Sequence, residues 1–198
     1  MSKSKPFIRS SYLIAALISL CCILLYAMET DSLLAFRRSA ITNGEYWRLF
    51  TGNLLHTNQW HLLMNLAGLW VLLLLFKPHF KALTFTLIFS ALCLLQGLGL
   101  YLFYPGLLGY VGLSGMLHGL FTYGAIRDIS TGLKSGYLLL LGVIIKVAYE
   151  QIFGASEQVT EMIGARVATE AHLIGVITGI LVVALVSFTT KLKPKVNI

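Results

Sequence analysis

Six long apolar runs dominate this sequence, and they constrain its fold more than any other feature. Breaks containing charged residues, glycine or proline separate them, and a helix needs about 20 apolar residues to cross a bilayer. The predicted spans are residues 12–28, 54–76, 82–103, 114–126, 136–153 and 171–188. Composition agrees, because 57% of the 198 residues are apolar and 12% are charged, about half the charged share of a soluble domain. The sequence therefore predicts an all-α membrane protein with six transmembrane helices in one domain over residues 1–198, and it excludes a nucleic-acid partner.

The net charge of +7 is unevenly distributed. The termini and the connections after spans 2 and 4 carry ten basic residues and one acidic residue, whereas the other connections carry four basic and six acidic residues. Because basic residues mark the cytoplasmic side of a membrane protein, both termini are predicted to be cytoplasmic. Six of these ten basic residues lie in the two termini: Lys3, Lys5, Arg9, Lys191, Lys193 and Lys195.

The fourth span is too short to cross a bilayer. The helix from Ser114 to Arg127 would measure roughly 20 Å, whereas the hydrocarbon core is about 30 Å thick. The preceding residues 104–113 contain three glycines, a proline and no charge, which is typical of irregular backbone. Such backbone is tolerated at membrane depth only in a protein interior or a wet cavity. The sequence thus predicts an outward-facing cavity with Ser114 on its floor.

Four polar residues from three spans are predicted to lie at one depth in the outer leaflet: Ser114, His61, Asn65 and His172. His61 and Asn65 are four residues apart on one helix face, and His172 begins the sixth span. A histidine that removes the Ser114 proton would make a nucleophile, and His61 and Asn65 offer hydrogen-bond donors for an oxyanion. Close approach of spans 4 and 6 is predicted by glycines at small-xxx-small spacing: Gly112, Gly115 and Gly119, with Gly175 and Gly179.

These motifs resemble those of the rhomboid intramembrane serine proteases. Residues 112–115 (GLSG) are similar to that family's GxSG motif, and residues 171–179 (AHLIGVITG) to its AHxxGxxxG helix. Residues 56–65 (HTNQWHLLMN) are similar to its H-x4-H-x3-N helix, and residues 45–48 (EYWR) to the WR element of its first loop. Four motifs in the family's order carry the resemblance.

The resemblance implies a Ser–His dyad with no third carboxylate. Ser114 would be the nucleophile, His172 the general base, and His61 and Asn65 the oxyanion donors, with His56 in a supporting position. Gly112 and Gly115 flank the nucleophile as the motif requires. Six spans correspond to the small bacterial form of the family, which implies a multi-pass protein of the bacterial inner membrane. Its partners would be transmembrane protein substrates and membrane lipid.

His118 departs from the family pattern, since rhomboids often carry tyrosine or phenylalanine four residues after the serine. It would stack on His172 or hydrogen-bond to His172 or Ser114. The string from Gly112 to Gly119 (GLSGMLHG) is similar to the rhombosortase branch. That similarity implies substrates with a Gly-Gly-containing C-terminal membrane segment and a basic tail, which are processed as sorting signals.

Other function classes stay open. A small transporter or channel would also have six spans with buried ionisable residues, but it predicts a continuous polar path and often a repeat, and no repeat is evident. A sorting transpeptidase would pass the acyl-enzyme to an amine instead of water. The sequence has no HExxH motif, and we expect neither a metal nor a cofactor.

Several further residues lie outside this cluster. Lys146 and Glu150 are four residues apart within span 5, and we expect an ion pair in the bundle interior, with a gating or substrate role as the alternative. His79 lies between Lys77 and Lys81, and we expect it at the protein surface. Trp47 and Arg48 are expected to anchor the first connection at the membrane interface.

Overall fold

A computed structural model of the protein describes residues 7–191. Within that range the chain is mostly helical, with one short two-stranded sheet. The helices are α1 (Phe7–Ala27), α2 (Asp31–Leu34), α3 (Arg38–Thr42), α4 (Arg48–Thr51), α5 (Gln59–Leu75), α6 (Ala82–Phe103), α7 (Ser114–Ser130), α8 (Ser135–Phe153), α9 (Glu157–Ile163) and α10 (Thr169–Lys191). The strands are β1 (Phe36–Arg37) and β2 (Gly109–Tyr110), and two 3-10 turns cover Gly52–Leu54 and Lys77–His79.

The six long helices occupy the six predicted apolar runs. Three of them, α6, α8 and α10, are long and apolar enough to cross a membrane alone. The bent pair Arg48–Leu54 and α5, which meet at 96°, gives a fourth candidate. The apolar part of α1 and the 17-residue α7 are shorter, so the count of six spans stays a prediction. The predicted cytoplasmic termini depend in part on basic side chains that the structure does not describe: Lys3, Lys5, Arg9, Lys191, Lys193 and Lys195.

The start of the second span was predicted wrongly. The helix α5 begins at Gln59 rather than near residue 54. The Asn58 side chain accepts a hydrogen bond from the His61 backbone N–H at 2.9 Å, which is an N-cap contact. Leu54 and His56 therefore lie in a 3-10 turn and a loop before the helix.

Residues 104–113 form irregular backbone with one short strand, as predicted except for the strand. β2 pairs with β1 in antiparallel register, with Phe36 opposite Tyr110. This small sheet is a departure from an all-α fold. It joins the first connection to the segment that leads into α7.

The first connection, between α1 and α5, is held by the buried side chain of Arg48. Arg48 donates to the Ala35 carbonyl at 2.8 Å and to the Ser32 carbonyl at 3.0 Å, and its side chain is 5% exposed. The Trp47 indole N–H donates to the Leu33 carbonyl at 3.2 Å. These contacts fix Trp47 and Arg48 within the first connection, whereas the anchoring expected of them at the membrane interface stays a prediction.

The helices α7 and α10 pack with their backbones almost in contact. A Cβ atom built on Gly175 would lie 1.9 Å from the Gly115 carbonyl oxygen, and one on Gly179 would lie 2.5 Å from the Gly119 carbonyl oxygen. The predicted close approach is therefore present. α7 lies centrally, because most of its residues are buried, whereas α8 exposes most of its apolar side chains.

The expectation that His79 lies at the surface was wrong. Its side chain is 6% exposed, and its Nε2 atom lies 2.6 Å from Asp128 Oδ1. The 3-10 turn at Lys77–His79 brings the ring against the end of α7, where the carboxylate supplies a hydrogen-bonding partner that the local sequence does not reveal.

Candidate active site

Ser114 and His172 form a hydrogen-bonded pair. Ser114 is the first residue of α7, and its Oγ atom lies 3.0 Å from His172 Nε2. His172 lies in the first turn of α10 and is buried. The contact exists because Gly115 and Gly175, next to this pair, let the two helix backbones touch. At this distance the histidine is in reach of the serine proton.

A third ionisable side chain completes the contacts of His172. Glu150, near the end of α8, places Oε2 2.8 Å from His172 Nδ1. Its other oxygen, Oε1, accepts from Lys146 Nζ at 2.7 Å. The expected Lys146–Glu150 ion pair is present, but Lys146 is 49% exposed and only Glu150 lies inward. The expectation that no carboxylate accompanies the dyad was wrong for this geometry.

His118 both stacks and hydrogen-bonds. Its ring lies parallel to that of His172, with centroids 4.0 Å apart and planes inclined by 19°. Its Nδ1 lies 2.7 Å from the Ser114 carbonyl oxygen. Because a carbonyl only accepts, the Nδ1 atom carries the proton. His118 therefore contacts the Ser114–His172 pair through ring packing and a hydrogen bond to the Ser114 backbone.

His61 and Asn65 converge on Gly112. A Cβ atom on Gly112 would lie 2.6 Å from His61 Nε2 and 3.5 Å from Asn65 Nδ2, and the glycine has φ +124. The space that a side chain at residue 112 would fill thus lies next to His61 Nε2 and Asn65 Nδ2. Asn65 is buried, and its Nδ2 finds no hydrogen-bond partner among the described residues, although such groups are normally paired.

The protonation of His61 follows from its neighbour Thr57. The Thr57 backbone N–H donates to His61 Nδ1 at 3.3 Å, and the Thr57 hydroxyl oxygen lies 3.0 Å from the same nitrogen. Since a backbone N–H can only donate, Nδ1 acts as an acceptor and the proton resides on Nε2. His61 Nε2–H is therefore a donor directed toward Gly112, which suits an oxyanion.

His56 lies behind these donors. Its ring packs edge-on against that of His61, with centroids 5.1 Å apart and planes at 79°. Both ring nitrogens are buried and lack a partner within the described part of the chain. The supporting role expected of His56 stays a prediction.

Two contacts of this site were not predicted from the sequence. The Tyr110 hydroxyl donates to the Gly112 carbonyl, and the Gly112 N–H donates to the Gly52 carbonyl at 3.1 Å. Gly112, two residues before Ser114, is thus held by hydrogen bonds at both its N–H and its carbonyl group. No motif signalled the first contact, which joins residues two apart, and the second depends on how the first connection folds back.

Two cavities meet at the serine. One, of about 570 Å³, lies between α5 and α8 beneath α9, and the other, of about 350 Å³, lies against the first connection. Ser114 and His61 line both. The helix α9 is tied to the loop that precedes α5, because the Thr57 hydroxyl donates to the Ile163 carbonyl at 2.6 Å. An extended peptide would therefore find space on both sides of the nucleophile.

The cluster of His118, Glu150 and His172 has the ligand types of a metal site. One ligand atom from each lies within 4.8 Å of the others. The two imidazole rings are stacked nearly parallel, however, so their in-plane lone pairs do not point at one position. Both nitrogens of His172 are already engaged by Ser114 and Glu150. The geometry fits a hydrogen-bonded chain better than a metal.

Comparison with known proteins gives a family match. The family model described as Rhomboid domain matches residues 43–188, which include every side chain of the site. No curated protein matches the chain.

Proposed function

The chain belongs to the rhomboid family, and we propose that Ser114 and His172 are the catalytic dyad of an intramembrane serine endopeptidase. Rhomboid membership implies a multi-pass membrane protein that acts on transmembrane substrates. The observation that carries the proposal is the 3.0 Å contact between Ser114 Oγ and His172 Nε2, at the junction of two cavities.

The chemistry that this geometry supports is acyl transfer. Ser114 Oγ attacks the substrate carbonyl carbon while its proton moves to His172 Nε2. The electron pair of the carbonyl moves to oxygen, where His61 Nε2–H and the Asn65 amide donate hydrogen bonds. The tetrahedral species collapses as the C–N bond breaks, and His172 gives its proton to the leaving amine. Water, deprotonated by His172, then hydrolyses the acyl-enzyme.

The cavity between α5 and α8 is the proposed path for the substrate. It is about 570 Å³ in volume, and apolar side chains such as Met64, Ile145 and Tyr149 contribute to its walls. A transmembrane segment arriving between α5 and α8 would exchange lipid for this lining. The charge asymmetry of the sequence supports cytoplasmic termini and a site that opens outward in a bacterial inner membrane.

The experiment is active-site labelling of the purified protein. A fluorophosphonate probe should form one adduct, on Ser114, and Ser114→Ala and His172→Ala should abolish both labelling and cleavage of a transmembrane reporter in liposomes. Ser130→Ala, an exposed serine at the other end of α7, is the matched control and should label like wild type. Cleavage by folded Ser114→Ala protein would contradict the proposal. A transporter would give neither adduct nor cleavage.

The similarity of residues 112–119 to rhombosortases supports a finer proposal on substrates. Cleavage would occur beside a Gly-Gly pair in a C-terminal membrane segment followed by a basic tail. Glycine weakens a helix by about 1 kcal/mol per residue, so such a pair would unwind readily at the serine. Reporters with Gly-Gly and Leu-Leu at that place test this, and equal cleavage rates would contradict it. The mass of the product distinguishes hydrolysis from transfer to an amine acceptor, in which the amine attacks the acyl ester and Ser114 regains its proton.

A further inference from the structure

Glu150 occupies the position of a third member of the catalytic chain. Its Oε2 atom lies 2.8 Å from His172 Nδ1, and His172 Nε2 lies 3.0 Å from Ser114 Oγ. The three groups come from α8, α10 and α7, which are separate elements. Carboxylate, imidazole and hydroxyl thus stand in one hydrogen-bonded line.

The carboxylate selects the useful tautomer of His172. An ionised carboxylate has no proton to donate, so the bond at Nδ1 requires that Nδ1 carry the hydrogen. The lone pair is then on Nε2, which faces the Ser114 hydroxyl. The same carboxylate would stabilise the imidazolium that forms when His172 takes the serine proton.

Lys146 keeps this carboxylate in place. Its ammonium lies 2.7 Å from Glu150 Oε1, so it opposes the negative charge and leaves Oε2 for the histidine. Lys146 is 49% exposed, whereas Glu150 is 12% exposed. The pair therefore places its anion inward, toward the catalytic histidine.

A purely structural tie between α8 and α10 is a weaker explanation. These helices are also joined by the buried cluster of Val143, Val147 and Val176. In addition, the Gln151 amide donates to the Thr169 carbonyl at 2.9 Å. The helices would thus remain together without the Glu150 carboxylate, whereas His172 would lose the only partner that its Nδ1 atom has among the described residues.

We propose that Glu150 is a positioning residue that turns the Ser114–His172 pair into a Ser–His–Glu chain. It acts on the substrate only through His172, by fixing the tautomer and stabilising the charged imidazole. This inference rests on the proposed protease function of the same site.

The test compares Glu150→Gln, Glu150→Ala and Glu150→Asp with wild type, using kcat and KM for a transmembrane reporter in liposomes. In Glu150→Gln the amide oxygen would face Lys146, so the amide NH₂ would face His172 Nδ1 and impose the wrong tautomer. We expect kcat to fall about 10²–10⁴-fold with KM nearly unchanged. Gln should be no better than Ala, and Asp, which keeps the carboxylate, should recover part of kcat. Glu157→Gln, an exposed acid at the start of α9, is the matched control and should behave as wild type.

Three results would overturn the inference. A kcat for Glu150→Gln within about threefold of wild type would show that His172 needs no carboxylate. A kcat for Glu150→Gln clearly higher than that for Glu150→Ala would show that the size and shape of the side chain matter rather than its charge. Glu150 would then act through helix packing. Loss of wild-type activity on chelation, restored by zinc, would indicate a metal on this cluster. If wild type neither cleaves nor labels at Ser114, the protease function itself fails, which is a distinct outcome.

Discussion

The contact between Gly115 and Gly175 sets the distance between α7 and α10, and Gly175→Ala tests this directly. A Cβ atom at Gly175 would lie 1.9 Å from the Gly115 carbonyl oxygen, whereas ordinary contact begins at 3.4 Å. The obstacle is backbone and cannot rotate away. The helices α7 and α10 must therefore separate by about 1.5 Å at this level if the contact is to become ordinary.

This separation acts almost directly on the dyad. Gly115 adjoins Ser114, and Gly175 lies one helical turn after His172. The 3.0 Å contact between Ser114 Oγ and His172 Nε2 would lengthen well beyond the limit of a hydrogen bond, about 3.5 Å. Since a displacement of about 1 Å can cost about 10² in rate, we expect a loss of that order in kcat. Overpacking should also lower the free energy of unfolding by about 1–3 kcal/mol.

A graded series of alanine variants makes the assay specific. At Gly179 the obstructing Gly119 carbonyl is 2.5 Å from the new Cβ, and at Gly142 on α8 no atom lies within 4 Å. Cleavage rates in liposomes, rates of Ser114 labelling and unfolding midpoints should therefore worsen in the order Gly142, Gly179, Gly175. Wild-type rates for Gly175→Ala, or equal impairment of the control Gly142→Ala, would show that this glycine contact does not set the position of the dyad.

Two further predictions concern the groups around the dyad. Asn65→Ala should lower kcat by about 10²–10³ without changing the unfolding midpoint much, because one oxyanion donor is lost; an unchanged rate would leave Asn65 a structural role. His118→Phe should retain more activity than His118→Ala, because the stacked ring, 4.0 Å from that of His172, fixes the base more than the bond to the Ser114 carbonyl does. The reverse order in the same cleavage assay would assign the main effect to that hydrogen bond.

The parts of the site that could be predicted from the sequence are those with short-range periodicity. His61 and Asn65 share a face because they are four residues apart. The start of α7 at Ser114 followed from the glycines and proline that precede it. The approach of α7 to α10 followed from glycines at regular spacing, since only small residues allow backbones to touch.

The contacts that could not be predicted depend on the rotation of one helix about its axis relative to another. Lys146 and Glu150 are four residues apart, so an ion pair within α8 already accounts for the Glu150 carboxylate. That local pair gave no indication that the second carboxylate oxygen contacts His172. A signal was present nonetheless, because Glu150 lies three residues before the end of α8, as His172 lies three after the start of α10. The end of α8 and the start of α10 lie on the same side of the helix bundle, which implies a similar depth for Glu150 and His172. A shared depth alone does not bring two side chains together.

The first connection explains how a polar site is kept rigid at the end of so short a helix. Arg38 donates to the Leu100 and Tyr104 carbonyls at 3.0 and 2.8 Å, and so fastens this connection to the end of α6. Bonds from a charged donor are each worth about 1.5–3 kcal/mol. Through them the sheet partner of Tyr110 is fixed, and Tyr110 in turn holds the Gly112 carbonyl. Because an oxyanion site is effective only when its donors need no rearrangement, a loop far from Ser114 in sequence would be part of what makes the proposed chemistry possible.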